Sequence, residues 1–500
     1  MRPFKLFLVG FSVFLFIILL SVAIPEGKLM IGKLTLKFPK FRTTAAPSPH
    51  YKDITSIIKI GTLLDDTLPA KIITDTCPKK TEPVKASLKP VITAVNADSL
   101  KGLLRNMEYP ASDDTVLFPF FRELVELPEK KKLIRIMHYG DSQIEGDRVT
   151  SYIRNQFQSR FGGIGIGLFP VLAVNPSSIS YVYNVSDNWQ RFSPQIPTHT
   201  SDESNKYGVL INYARIERSG GLFRKNKDFD GWIRLERSNI AYRLAQRFSQ
   251  CRIFYGFNKS SMMVEVEQNK SVLDAEIVPQ SDKLKILRWT FDNPLKDFTI
   301  HFKGESSPDV YGISLDGDQG VAVDNIPLRG SAGLEFTKSD ISFLKNFYKV
   351  LNVKLLILQF GVNVVPNVRS DYDYYRKSFY QQLVSIHNGN PQIPIIVMGV
   401  SDVSQNGENG LESCPNIEKI RDAQKAASFD AGCAFWDVFE AMGGRNSMPS
   451  WVYANPPLAQ KDFTHFSPIG AKIIGEMFYS SLMNEYNKFL KETKVGDAHL

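Results

Sequence analysis

Four short apolar runs, Lys132–Met137, Val353–Gln359, Ile393–Val400 and Cys433–Asp437, are close to continuous. That is the pattern of strands buried on both faces of a parallel sheet. Apolar residues at three- and four-residue steps follow them: Val149, Tyr152, Ile153, Phe157 and Phe161 after the first, then Tyr372–His387 and Ile417–Phe429. This is the period of an amphipathic helix, and strands alternating with helices predict an α/β layer fold. Between about residues 175 and 320 the period changes to two. Gly231–Leu235, Arg252–Tyr255, Met262–Val266, Lys285–Trp289 and Phe298–Phe302 are short alternating segments separated by turn residues. They predict a β-sandwich or jelly roll inserted into the α/β domain. Trp232, Tyr255 and Trp289 are expected in its core, with sugar contact by exposed aromatics as the alternative.

A third pattern stands at the N-terminus. An uncharged, largely apolar run extends from Leu6 to Ile24, near the length a helix needs to cross a bilayer. Only a partial small-residue cleavage pattern, Ser21-Val22-Ala23, accompanies it, so an uncleaved anchor is expected. Residues 27–110 carry Pro, Thr, Ser and Lys in pieces such as Thr43-Thr44-Ala45-Ala46-Pro47, the composition of a stalk. The expected organisation is an anchor over 1–26, a stalk over 27–110, the α/β domain in two parts over 111–174 and 321–490, and the β insert over 175–320.

Charge and cysteines narrow the picture. The net charge of +8 lies wholly in residues 1–135, which hold 21 Lys and Arg against 13 Asp and Glu. Basicity beside a membrane segment suggests anionic lipid or wall polymer, and no basic stripe with interleaved aromatics suggests nucleic acid. Lys28, Lys33, Lys37, Lys40 and Arg42 follow the apolar run, so local charge does not place the N-terminus in the cytoplasm. Cys77, Cys251, Cys414 and Cys433 show no C-x-x-C spacing, so no zinc site is expected. Cys414 and Cys433 are open to pairing in an exported protein; buried free thiols are the other reading. The run Gly162-Gly163-Ile164-Gly165-Ile166-Gly167 follows a helix where a dinucleotide loop would follow a strand, which excludes the cofactor reading. No cofactor and no metal are expected.

The chemistry-bearing stretch is the end of the first run, His138-Tyr139-Gly140-Asp141-Ser142-Gln143. Strand, tight turn, serine and helix lift a hydroxyl to the carboxyl edge of a sheet, where a helix N-terminus offers free N–H groups to a developing negative charge. A serine nucleophile needs a base near neutral pH, and the base needs a carboxylate to fix its tautomer. Asp462 and His465, three positions apart in Lys461-Asp462-Phe463-Thr464-His465-Phe466, can supply both. Taken alone, the pair would read as a helix cap with a packed histidine. Gly361 and Asn363 end another buried strand, and an Asn amide can donate to an oxyanion. Gly330, in Leu328-Arg329-Gly330-Ser331, can offer a backbone N–H, though turn chemistry explains both pieces equally. His138 is expected to pack in the strand end, His301 to belong to the insert and His387 to a helix end. Asp141 is expected to brace the turn.

Gly140-Asp141-Ser142, Gly330, Gly361-x-Asn363 and Asp462-x-x-His465 fall in the order of the four blocks of the SGNH/GDSL hydrolases, a family this chain resembles over about residues 130–170 and 320–485. It looks most like the membrane-anchored, exported branch acting on acetyl groups of cell-wall or exported polysaccharides, which also has a β domain inserted between the first two blocks. The resemblance implies a three-layer α/β sandwich, with Ser142 as nucleophile, His465 as base and Asp462 as its orienter. It implies an oxyanion hole from the Ser142 and Gly330 amides and the Asn363 side chain. Gln143 stands where the pattern has Leu, a change expected to leave the chemistry intact, and Val364 stands where it has a structural Asp, which bears on the aim of Asn363. The implied activity is hydrolysis of acetyl esters on an acylated polysaccharide or peptidoglycan, outside the cytoplasm, on an inner-membrane anchor. An O-acetyltransferase with the same triad, served by a membrane acetyl-transfer partner, and a catalytically idle glycan-binding protein are the alternatives.

Overall fold

The computed structural model describes residues 11–12, 28–31, 34–37, 52–59, 105–196, 205–217, 228–293, 295–407 and 410–493. Apart from residues 11–12, the anchor expected over Leu6–Ile24 lies outside these residues, as do most of the expected stalk and Cys77. Among the described residues no helix is long and apolar enough to cross a membrane. The chain divides into two compact units, residues 1–51 with 406–411, and the remainder. In the first, Lys28–Ile31 pairs antiparallel with Leu34–Lys37.

The second unit is built on a five-stranded parallel sheet. Its strands are β1 (Leu133–Gly140), β2 (Gly320–Pro327), β3 (Val353–Gln359), β4 (Ile395–Met398) and β5 (Ala434–Trp436), in the order β2–β1–β3–β4–β5. Period-two alternation sends neighbouring residues to opposite faces. Ile134, Ile136, Leu355, Ile357, Ile396 and Met398 join one core. Met137, Tyr139, Leu356, Leu358, Ile395 and Val397 join the other. Helices α1 (Phe118–Lys130), α2 (Thr150–Phe161) and α6 (Pro468–Thr493) cover the first face. Helices α3 (Ile341–Leu351), α4 (Asp373–Gly389) and α5 (Ile417–Asp430) cover the second. Asp340 caps α3 by accepting the Phe343 N–H at 2.9 Å.

Four of the five strands coincide with the apolar runs. β2 does not, because Asp324 and Asn325 interrupt its pattern. Asp324 is nonetheless fully buried, where it meets the guanidinium of Arg135 on β1. Arg135 also pairs with Asp316 at 2.7 Å, and Arg252 reaches the same carboxylate at 2.8 Å.

The region between β1 and β2 contributes two antiparallel sheets. One runs in the order Ser271–Val278, Met262–Gln268, Asp297–Gly304, Phe229–Arg237, Tyr181–Val185. The other runs Lys285–Thr290, Gln250–Gly256, Asp309–Asp316, Tyr213–Ile216, Trp189–Phe192, and Gly165–Phe169 also pairs with Asp309–Asp316. Their facing residues form a separate core that includes Tyr255 and Trp289, while Trp232 stays partly exposed. The glycine run before Gly165–Phe169 has a packing cause. A Cβ on Gly163, Gly165 or Gly167 would sit 2.4 Å from Val321 O, 2.1 Å from Leu315 O and 2.3 Å from Asp324 Oδ1 respectively. Backbone must approach backbone at Gly163 and Gly165 and the Asp324 carboxylate at Gly167, and each glycine also holds a positive φ.

Cys414 and Cys433 are free and buried, so they are not a disulfide pair. Burial pushes their thiols up, to about 11 and about 12. Two pieces of the 27–110 stretch lie against the α/β core. Ile54 and Ile57 enter its first core, and Glu108 exchanges two backbone hydrogen bonds of 2.8 Å with Phe435 on edge strand β5.

Candidate active site

In a parallel sheet of order 2-1-3-4-5, successive connections run outward in opposite senses from the β1/β3 boundary, opening a crevice beyond their carboxyl ends. Gly140 stands level with Pro327 of β2 and Gln359 of β3, so the loops carrying Ser142, Gly330 and Asn363 leave the sheet at one height. Asp141 is buried and accepts the Gln143 N–H at 3.0 Å, while its own N–H donates to Gln359 O at 3.1 Å. This braces the turn that presents the serine. Burial raises the Asp141 carboxyl to about 7, although the N–H groups of Gln143, Val362 and Gly361 work against that shift.

The helix after the serine begins later than the pattern suggested. Gly146 and Asp147 adopt left-handed conformations within a short 3-10 turn, Glu145–Asp147, and α2 starts only at Thr150. The N–H groups near the hydroxyl therefore belong to the turn and not to a helix N-terminus.

Ser142 Oγ lies 2.7 Å from His465 Nε2, and His465 Nδ1 lies 2.7 Å from Asp462 Oδ2. The other oxygen of Asp462 accepts the N–H groups of Thr464 and His465, both at 3.0 Å. Partial burial opposes ionisation of Asp462. The His465 backbone and ring and the Thr464 N–H outweigh it and hold the carboxyl below its ordinary range. Phe463, between the two, takes a left-handed φ of 55° that turns the loop back on itself. α6 begins directly after this loop, with Ser467 capping Gly470 N–H at 3.1 Å and Pro468 in its first turn.

Asn363 Nδ2 donates to Ser331 O at 2.9 Å, which fixes the amide and leaves its second N–H available. Val364 is buried in the apolar core, and its N–H closes a turn onto Gly361 O at 2.9 Å, so apolar packing shapes this loop. Among the described residues, the N–H groups of Ser142 and Gly330 take no part in the backbone hydrogen bonds of turns and loops. Ser142, Gly330, Asn363, Asp462 and His465 all line one open cleft of about 660 Å³. Its other walls mix polar side chains, Glu145, Arg148, Asn175, Ser177, Arg329 and Gln460, with Ile179 and Pro468.

No protein-family model matches the sequence, and no curated protein matches it. The chain is similar in fold to a solved peptidoglycan O-acetylesterase. That match has a TM-score of 0.59 at 20% identity and covers 77% of this chain and 100% of the other. An acetyl xylan esterase matches at a TM-score of 0.26 and 14% identity, over 32% of this chain and 81% of its own. A family two carbohydrate esterase from Clostridium thermocellum matches at 0.23 and 7%, over 54% and 94%. At these identities the first likeness is one of fold, and the other two are too distant to bear on the site.

Among the described residues, the remaining histidines fall away from the cleft. His138 is fully buried between Gln359 Oε1 at 3.1 Å and Thr150 Oγ1 at 2.9 Å, and burial lowers it to about 3, so it stays neutral. His301 lies in the sandwich, 3.5 Å from Glu267, and His387 is in the last turn of α4. Among the described residues no cluster of His, Cys, Asp or Glu has the arrangement of a metal site.

Two side chains at the site carried no sequence signal. Gln143 is buried and its Nε2 donates to Thr464 O at 2.7 Å and Ser401 Oγ at 2.9 Å, while its Oε1 faces Phe466 N at 3.4 Å. Arg148 donates to Ser142 O at 2.6 Å, Glu145 O at 2.8 Å and Phe466 O at 3.1 Å. A basic residue a few positions after the serine is common on any helix, and nothing in the local pattern marks it.

Proposed function

We propose that this protein is a serine esterase of the SGNH/GDSL type that removes acetyl groups from a cell-envelope or exported polysaccharide. The observation that carries the reading is the continuous relay Ser142–His465–Asp462, with both links at 2.7 Å, beside three unspent hydrogen-bond donors. The neighbour's fold and the open cleft, lined in part by polar side chains, are consistent with a glycan ester as substrate.

Ser142 Oγ attacks the acetyl carbonyl while His465 Nε2 takes its proton, and Asp462 stabilises the imidazolium. The carbonyl oxygen, now negative, accepts from the Ser142 and Gly330 N–H groups and from Asn363. As the tetrahedral species collapses, the C–O bond to the sugar breaks and His465 returns the proton to the leaving sugar oxygen. A water then gives a proton to His465 and attacks acetyl-Ser142, releasing acetate and restoring the hydroxyl. Membrane attachment through Leu6–Ile24 with the catalytic unit outside the cytoplasm belongs to the same proposal.

Ser142→Ala tests it. The wild type should release acetate from an aryl acetate and from acetylated polysaccharide, and a fluorophosphonate should label it at Ser142. The variant should fold with an unchanged melting curve and lose both. Retained turnover in the variant would sink the reading, and acetyl appearing on an added glycan in place of free acetate would turn it toward transfer.

A further inference from the structure

We infer that Gln143 and Arg148 are positioning residues that lock the histidine loop onto the serine turn; this rests on the reading of Ser142, His465 and Asp462 given above. The relay is divided between two segments. Ser142 stands on the turn after β1, and Asp462 and His465 stand on the loop before α6. Among the described residues no strand ladder joins the two; the loop is bridged between Ala459 and Phe466 and accepts the Ser404 N–H at Phe463 O, away from the serine turn.

What joins them is side chain to backbone. Gln143 holds the carbonyl of Thr464, the residue before His465, and faces the N–H of Phe466, the residue after it. Arg148 holds the carbonyl of Phe466 with one arm of its fork and that of Ser142 with another. Both neighbours of the histidine are thereby tied to the serine turn, and Gln143 is itself tied to Ser401 after β4. The bonds run to main-chain atoms, so they set the position of the loop whatever side chains it carries. Charge on Arg148 strengthens its share.

Neither residue has a proton to give or take in the reaction. Loss of either should misplace the imidazole, and Gln143, which does not line the cleft, can be lost without touching substrate. A displacement of about 1 Å in a reacting group costs on the order of 100-fold in rate. Gln143→Leu removes the amide at similar volume, and Arg148→Lys keeps the charge while losing the fork.

The test compares the full chain with both variants on an aryl acetate, alongside NMR detection of the downfield His465 Nδ1–H proton held against Asp462. The expected result is a loss of kcat on the order of 100-fold. For Gln143→Leu the KM should stay within about threefold; for both variants the melting temperature should stay within about 3 °C and the downfield resonance should be lost. Wild-type kcat together with an undisturbed resonance in both variants would overturn the inference. The resonance needs no turnover. If the wild type hydrolyses no ester but both variants still lose the signal, the clamp stands and the esterase reading is what fails. Should Gln143→Leu not fold, Arg148→Lys decides alone.

Discussion

Asp141 shows how much a single side chain beside Ser142 depends on its surroundings. In water its carboxyl would be ionised well below neutrality, and here burial raises it to about 7. Between the unfolded value of 3.8 and about 7 the folded protein binds the extra proton, so ionisation disfavours the fold. The stability that the protonated form contributes is complete below the lower value and is lost as pH rises through the higher one. Replacing Asp141 with Asn removes that term. The melting temperature of Asp141→Asn relative to wild type should therefore climb steadily from about pH 4 to about pH 7, and a difference flat across that range would count against the buried-acid description. Ser142, Asp462 and His465 were legible because their chemistry constrains residue type and local spacing. Gln143 and Arg148 were not, because their partners are backbone atoms of a segment as far as 323 positions away. Any residue type could supply those atoms, so no pattern advertises them.

Among the elements, the buried strands read clearly wherever both faces are apolar. β2 escaped because its core face carries Asp324, which only an arginine from the neighbouring strand makes tolerable. The start of α2 was misplaced for a related reason. Apolar period marks the packed face of a helix, whereas the left-handed Gly146 and Asp147 that delay it leave no trace in that period. The glycine run shows the converse, a conspicuous motif whose meaning is close packing. Gly165→Ala would set a methyl 2.1 Å from Leu315 O at a φ of +94°, so it should destabilise by about 2 kcal/mol or more. Chemical denaturation would read this as a lower midpoint, and a variant with an unchanged midpoint would show that the backbone yields freely there.

At the scale of the whole molecule, the sandwich keeps its own core and also sends Phe254 and Tyr311 into the second core of the parallel sheet. Tyr311 packs on Phe343 and Phe347 of α3 at ring distances of 5.2 and 5.7 Å, and Phe254 lies 5.5 Å from Phe347. The fully buried Arg135 links Asp324 of the parallel sheet to Asp316 of the sandwich. Burial raises Asp324 to about 6, while Arg135 and Arg252 overcome burial and hold Asp316 below its ordinary range. Removing Arg135 strands the Asp324 carboxylate out of reach of water and leaves Asp316 with Arg252 alone. Arg135→Met should cost roughly 3–5 kcal/mol, seen as a lower denaturant midpoint. A melting curve like the wild type's would mean that the interface needs no charge.

Period alone settled that this chain alternates buried strands with helices and carries a block of two-residue alternation, because burial acts on neighbours a few positions apart. Residue chemistry likewise marked out the hydroxyl, the imidazole and the carboxylate as a possible set. Only the tertiary structure decided that they meet. Their approach depends on the parallel register that levels three strand ends, on a backbone turn through Phe463, and on two side chains that hold one loop to another. These are contacts between distant segments, whose free energy appears only when the chain has closed on itself.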